Sequence, residues 1–187
     1  EKSLLMFSWF TKIGLDNLLK ANPKVLTSNS NINLIKPANF EDDLNLLKNM
    51  DLVIEAVSEN LDIKKNLYKK IKPYLKENPN TILASNTSGL SLESLVKSVP
   101  QNLKSRFLGL HFFNPPRYLS LVELIATSYT DKKLIKLCER FLLLSLGKHV
   151  VKTKDTPNFI ANRLGIGYWA LALHYADIYD IPINIVD

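Results

Sequence analysis

Across its 187 residues the chain carries one cysteine, three histidines and six glycines, and each scarcity closes off a class of protein. A lone cysteine, Cys138, excludes an internal disulfide and fits a reducing compartment, so a cytoplasmic protein is expected. Lying in a helical pattern among leucines, it reads as a buried, inert thiol. Three histidines and that cysteine stand at no metal-ligand spacing, so no metal site is expected. Long apolar runs are also missing. "FLLLSLG" and "LLMFSWF" are far too short to cross a bilayer, and the opening residues do not read as a secretory leader. The glycines make no dinucleotide-binding loop. "GIGYWA", Gly165 to Ala170, has the G-x-G-x-x-A spacing, but that fingerprint works only between a strand and the start of a helix. Here it follows "FIANRL" inside a helical pattern, where small residues suit close helix packing instead.

What is present describes a globular chain: 46% hydrophobic and 22% charged residues. Its length suits one ordinary domain, or one domain plus part of a second. The net charge of +6 comes from dispersed lysines, as in "DIKKNLYKKIKPYLK", which read as the solvated face of a helix. No basic cluster interleaved with aromatics points to nucleic acid. The excess charge could help attract an anionic ligand. The first residue is Glu, already inside a helical pattern ("EKSLLMFSWFTKIGLDNLLK"), so the chain reads as a piece of a longer protein.

The hydrophobic period then alternates. "ANFEDDLNLLKNM" reads as a helix with acidic residues in its first turn. "DLVIEAV" reads as a strand buried on both faces. "DIKKNLYKKIKPYLKEN" sets Ile63, Leu67, Ile71 and Leu75 on one helical stripe. "TILASNT", "RFLGLHFF", "LVELIAT" and "KHVVKTK" read as strands, and "LSLESLVKSV" and "DKKLIKLCERFLLLSLG" as helices, the last stopped by Gly147. Alternation at this spacing predicts an α/β fold with a mostly parallel, doubly wound sheet. After "KTKD" the pattern becomes purely helical, with Thr156 as N-cap and Pro157 as first helical residue. A domain boundary is expected near Asp155, dividing residues 1–154 from the start of a helical domain over 155–187.

In sheets of this kind ligands bind beyond the carboxyl ends of the strands. Three polar clusters fall there: Glu59 after "DLVIEAV", Ser85 to Ser88 after "TILA", and His111 to Asn114 after "RFLGL". Their recurrence at successive strand ends points to one site. His111 then has two readings. It is a structural histidine at a strand end, or a general base whose orienting acid is Glu123, twelve residues on. His149 and His174 read as an ordinary strand residue and a helix-face residue.

The motifs "DLVIEAVSENLDIK", "SNTSGL", "GLHFFNPPRYLSLVELI" and "LGKHVVKTKDTPNFIANR" resemble, in order and spacing, the 3-hydroxyacyl-CoA dehydrogenases of fatty-acid β-oxidation. "HFFNPPRY" and "TPNFIANR" look like the long bacterial enzymes fused to an enoyl-CoA hydratase; the shorter enzymes usually have Gly where this chain has Asn158. The resemblance covers roughly residues 40 to 170. It implies a partial Rossmann-like domain without its first strand and glycine loop, followed by the beginning of a helical domain used for substrate binding and dimerisation. It implies NAD as cofactor, a 3-hydroxyacyl-CoA substrate and a homodimer in the full-length protein. By the same resemblance His111 and Glu123 are the catalytic pair, with Ser88 and Asn162 beside the substrate. Ala56, Val57, Glu59, Lys64, Ser88 and Asn114 are cofactor-binding positions, although Lys64 also reads as an ordinary helix-surface lysine. A catalytically inactive remnant or interaction fragment that keeps these residues is the competing reading.

Overall fold

The structure is a computed structural model that describes residues 13–75, 78 and 80–186. Most of the opening helical pattern lies outside the described residues; residues 13–20 are helical. The chain divides into two compact units, Glu1–Met50 and Asp51–Asp187.

In the first unit the helix expected over "ANFEDDLNLLKNM" is replaced by turns and a short 3-10 helix, Leu44–Asn49. The reason is local. The Asn39 side-chain oxygen accepts the amides of Glu41 and Asp42 at 2.8 and 2.9 Å, and Asp43 Oδ2 accepts the Asn39 amide at 3.0 Å. Side chains of this type offer the backbone an alternative to the α-helical ladder.

The second unit holds a five-stranded sheet ordered β1 (Leu52–Glu55), β2 (Ile82–Ser85), β3 (Phe107–Phe112), β4 (Leu121–Ala126) and β5 (His149–Thr153). All neighbours are parallel except β3 and β4, which run antiparallel. Between them lie helices α1 (Leu61–Leu75), α2 (Leu92–Val96) and α3 (Lys132–Leu144), and after the sheet α4 (Ala161–Ile178) and α5 (Ile183–Val186).

Strand alternation sorts the side chains of β3 and β4 onto two faces. Leu108, Leu110, Val122 and Leu124 pack with Leu134, Cys138 and Leu142 of α3 on one face. Gly109, His111, Glu123 and Ile125 share the other. There Gly109 leaves room for α2, since a Cβ at that position would stand 2.6 Å from Leu92 Cδ1 and 3.0 Å from Ile125 Cδ1. Helices thus cover both faces of the central strands, as the doubly wound reading requires.

Four expectations are corrected here. β1 is not buried on both faces: it is the sheet edge among the described residues, and Ile54 is 42% exposed. The buried stripe of α1 is Lys64, Tyr68, Ile71 and Leu75, whereas Ile63 is 47% exposed. A polar network, described below, turns the helix so that a lysine and a tyrosine face inward. Finally, the last long helix starts at Ala161, not at Thr156 and Pro157. Asn158 and Phe159 both have positive φ, 61° and 49°, which no α-helix accommodates. The "GIGYWA" segment does lie inside this helix, but a Cβ on Gly165 or Gly167 would meet nothing within 4 Å, so neither glycine serves close packing among the described residues.

Candidate active site

The β3–β4 hairpin brings His111 and Glu123 directly opposite each other as cross-strand partners. Their spacing in the sequence is therefore the length of a hairpin arm and its return. His111 Nδ1 lies 2.7 Å from Glu123 Oε2, and both side chains are buried. A carboxylate only accepts hydrogen bonds, so Nδ1 donates and Nε2 is left for another partner. Two aromatic rings flank the imidazole, Phe113 with a centroid separation of 4.4 Å and Phe159 at 5.7 Å. The other Glu123 oxygen, Oε1, accepts the backbone amides of Ile160 and Ala161, each at 2.9 Å. One carboxylate thus joins the histidine to the start of α4.

Loops after β1 and β2 meet beside this pair. Glu59 Oε1 accepts the Thr87 hydroxyl and the amides of Ser88 and Gly89, the amides at 2.7 and 3.1 Å. Burial alone would raise the Glu59 pKa. The Thr87 and Ser88 hydrogen bonds, the Lys64 charge and the Gly89 amide outweigh it and hold the carboxyl below its ordinary value. Asn162, in the first turn of α4, donates from Nδ2 to the Ser88 carbonyl at 3.2 Å. Ser88 itself is exposed. Gly89 allows close approach of the segment before α4: a Cβ there would sit 2.5 Å from Asn158 Oδ1. Asn158 has the left-handed backbone that glycine and asparagine tolerate best.

Of the positions expected to bind cofactor, Ala56 is exposed, Val57 is partly buried and Asn114 is exposed just ahead of Pro115. Lys64 is no surface lysine. It is 1% exposed, and its ammonium reaches Glu55 Oε1 at 2.7 Å, the Val57 carbonyl at 3.2 Å and Glu59 Oε2 at 3.4 Å. Glu55, which the sequence reading passed over, is the hub of this network. It also accepts the Val57 amide at 2.8 Å, the Tyr68 hydroxyl at 3.0 Å and the Ser85 hydroxyl at 2.7 Å. Burial, reinforced by the Glu55 charge, pushes the Tyr68 phenol far above its ordinary range. A carboxylate inside an apolar strand, with Lys and Tyr four residues apart on the next helix, was the signal available for it.

Two more polar residues tie the site together, Asn86 from the Ser85–Ser88 cluster and Asp155, to which the sequence reading gave no role. Asn86 Oδ1 accepts the Phe112 amide at 2.9 Å, tying the end of β2 to the residue after His111. Asp155 accepts the Leu92 and Glu93 amides at 3.0 and 2.8 Å and the Ser91 hydroxyl at 3.0 Å, pinning the segment before α4 to the start of α2. Among the described residues no group of three His, Cys, Asp or Glu could hold a metal ion.

Residues 15–156 match the family described as 3-hydroxyacyl-CoA dehydrogenase, NAD binding domain. The chain belongs to this family. It is 38% identical over 180 residues to "Probable 3-hydroxyacyl-CoA dehydrogenase" of Deinococcus radiodurans, covering 96% of this chain and 51% of that protein. It is 42% identical over 150 residues to "Hydroxyacyl-coenzyme A dehydrogenase, mitochondrial" of Homo sapiens, covering 80% of this chain and 46% of that one. Among solved structures, M. tuberculosis FadB2 superposes with a TM-score of 0.79 at 30% identity, covering 95% of this chain and 63% of FadB2. The chain spans about half the length of these two curated relatives. Among the described residues, no helix is long and apolar enough to cross a membrane.

Proposed function

We propose that the chain supplies the catalytic half of an NAD-dependent 3-hydroxyacyl-CoA dehydrogenase. The observation that carries this reading is the buried His111–Glu123 pair at 2.7 Å, set at the strand ends beside the Glu59-clamped loop. Oxidising a 3-hydroxyl removes a hydride from C3 and a proton from the oxygen, leaving a carbonyl. His111 Nε2 accepts that proton. Glu123 keeps Nδ1 as the donor and stabilises the imidazolium that forms, the logic of the Asp–His pair in serine proteases. Ser88 and Asn162, joined through the Ser88 carbonyl, orient the substrate across the junction between the sheet and α4.

The residues present fit the cofactor. Among the described residues Glu59 Oε2 meets only Lys64, and Ala56 and Val57 form an apolar rim at the end of β1, where parallel sheets receive nucleotides. Lys64 stands behind Glu59 as a fixed cation, and Asn114 extends the site beyond β3. NAD, when bound, supplies the hydride acceptor. Residues from 155 onward begin a helical domain that completes the substrate site and a homodimer. NADH formation from 3-hydroxybutyryl-CoA by the purified full-length protein, with the segment that precedes these residues restored, tests the reading. Turnover that His111→Gln abolishes supports it, and no turnover with a folded protein favours the inactive-remnant reading instead.

A further inference from the structure

Glu123 divides its two oxygens between different parts of the chain, and that division assigns a task to the segment before α4. Oε2 holds the histidine, whereas Oε1 takes two backbone amides, Ile160 and Ala161, at the opening of a helix that has no side-chain cap of its own. Two N–H donors and the positive end of a helix dipole together favour an anion at that oxygen and fix its direction.

What aims the amides is an unusual turn. Phe159 N–H closes onto the Thr156 carbonyl at 2.9 Å, and Asn158 and Phe159 then both adopt positive φ. For a bulky residue such backbone is strained and persists only when its surroundings hold it. Here the holding contact is visible: Phe159 is 1% exposed, and its ring lies against the His111 imidazole. The ring is thus anchored on His111, and the two residues that follow it give their amides to that histidine's partner, Glu123.

We propose that Phe159 is a positioning residue for the base. Its buried ring sets the left-handed turn that delivers the Ile160 and Ala161 amides to Glu123, so that the His111–Glu123 pair is fully assembled only when the start of α4 is seated. The inference rests on the reading of His111 as the base. Asn162 lies in the same first turn, so a single docking event both orders the carboxylate and brings the asparagine to Ser88.

Two experiments test it. In steady-state kinetics, Phe159→Ala should lower kcat by about thirtyfold or more while KM for NAD and for the acyl-CoA changes by less than about threefold. Phe159→Leu, which keeps an apolar plug, should recover most of the rate. A folded Phe159→Ala protein with wild-type kcat, or a rise in KM alone, would overturn the proposal. Amide hydrogen exchange provides the second arm and needs no activity. Replacing Phe159 by Ala should speed exchange at Ile160 and Ala161 by about tenfold or more, the scale of lost hydrogen bonds, while Leu124 and Ile125 stay protected. Unchanged exchange at 160 and 161 in that variant would overturn it, and Phe159→Val gives the same reading should Phe159→Ala fail to fold. Absence of turnover in the unsubstituted protein would instead count against the proposed function and leave the exchange result to decide this inference.

Discussion

Lys64 and Glu55 form an ion pair with 2.7 Å between Nζ and Oε1, and each side chain is only 1% exposed. Removing one partner strands a buried charge. Lys64→Met should therefore destabilise the fold by about 3–5 kcal/mol in urea titration, although it adds apolar surface to a helix. Glu55→Gln combined with Lys64→Met should recover a large part of that loss. Equal or greater instability in the double variant would show that the network's value lies in hydrogen bonds rather than in paired charge.

Glu59 gives the protein an acid-sensitive latch. Its folded pKa lies below the ordinary carboxylate value of 4.5, so its contribution to stability is complete above that value. The contribution is lost as pH falls through the lower, folded value. Glu59→Gln should flatten the dependence of melting temperature on pH below 4.5 and change it little near neutrality. An unchanged acid limb would mean that the Thr87–Gly89 clamp is not held by charge.

Cys138 should be silent in the native protein. Burial pushes its thiol up to about 11, against a partial opposing effect of the Arg106 charge. The reactive thiolate is then scarce near pH 8, about one part in a thousand. Iodoacetamide should leave the folded protein unmodified by mass spectrometry and label it fully in denaturant. Rapid labelling of the folded protein would show that α3 opens readily from the sheet.

The parts of this fold that follow from short-range periodicity were readable before the structure. β2, β3, β4 and β5, with α3 between the last two, stand where the runs "TILASNT", "RFLGLHFF", "LVELIAT", "DKKLIKLCERF" and "KHVVKTK" put them. His111 and Glu123 were readable as a pair, and the antiparallel register explains why their spacing served as a signal. Other features escaped because their causes are not periodic. The face of α1 is chosen by Glu55, a residue on another element. The start of α4 is set by two left-handed residues, and by a carboxylate on β4 standing in for the cap that Thr156 was expected to provide. Helical period alone favours Ile63 over Lys64 as the inward residue; the Glu55 carboxylate at the end of β1, nine residues before Lys64, reverses that choice.

Glu123→Gln is a sharper test than its small change in shape suggests. The carboxylate accepts from His111 on one oxygen and from two amides on the other. A carboxamide has one oxygen and one NH2 and cannot serve both sides. If its oxygen keeps the amides, the NH2 faces Nδ1 and moves the imidazole proton to Nε2, where the base must be free. If its oxygen keeps Nδ1–H, the NH2 opposes two backbone donors and unseats α4. Either arrangement should lower kcat by about a hundredfold or more with little change in NADH affinity. NADH titration beside the rate assay checks both halves of that expectation.

His111 and Glu123 should act as one proton-accepting unit, and a double-mutant cycle on kcat of the full-length protein tests this most directly. His111→Gln and Glu123→Gln should each cost about two orders of magnitude or more, and the double variant should be little worse than His111→Gln alone. A structural histidine gives the opposite pattern: both substitutions lower the melting temperature, turnover per folded molecule stays near wild type, and any small losses in rate add. That result would contradict the account.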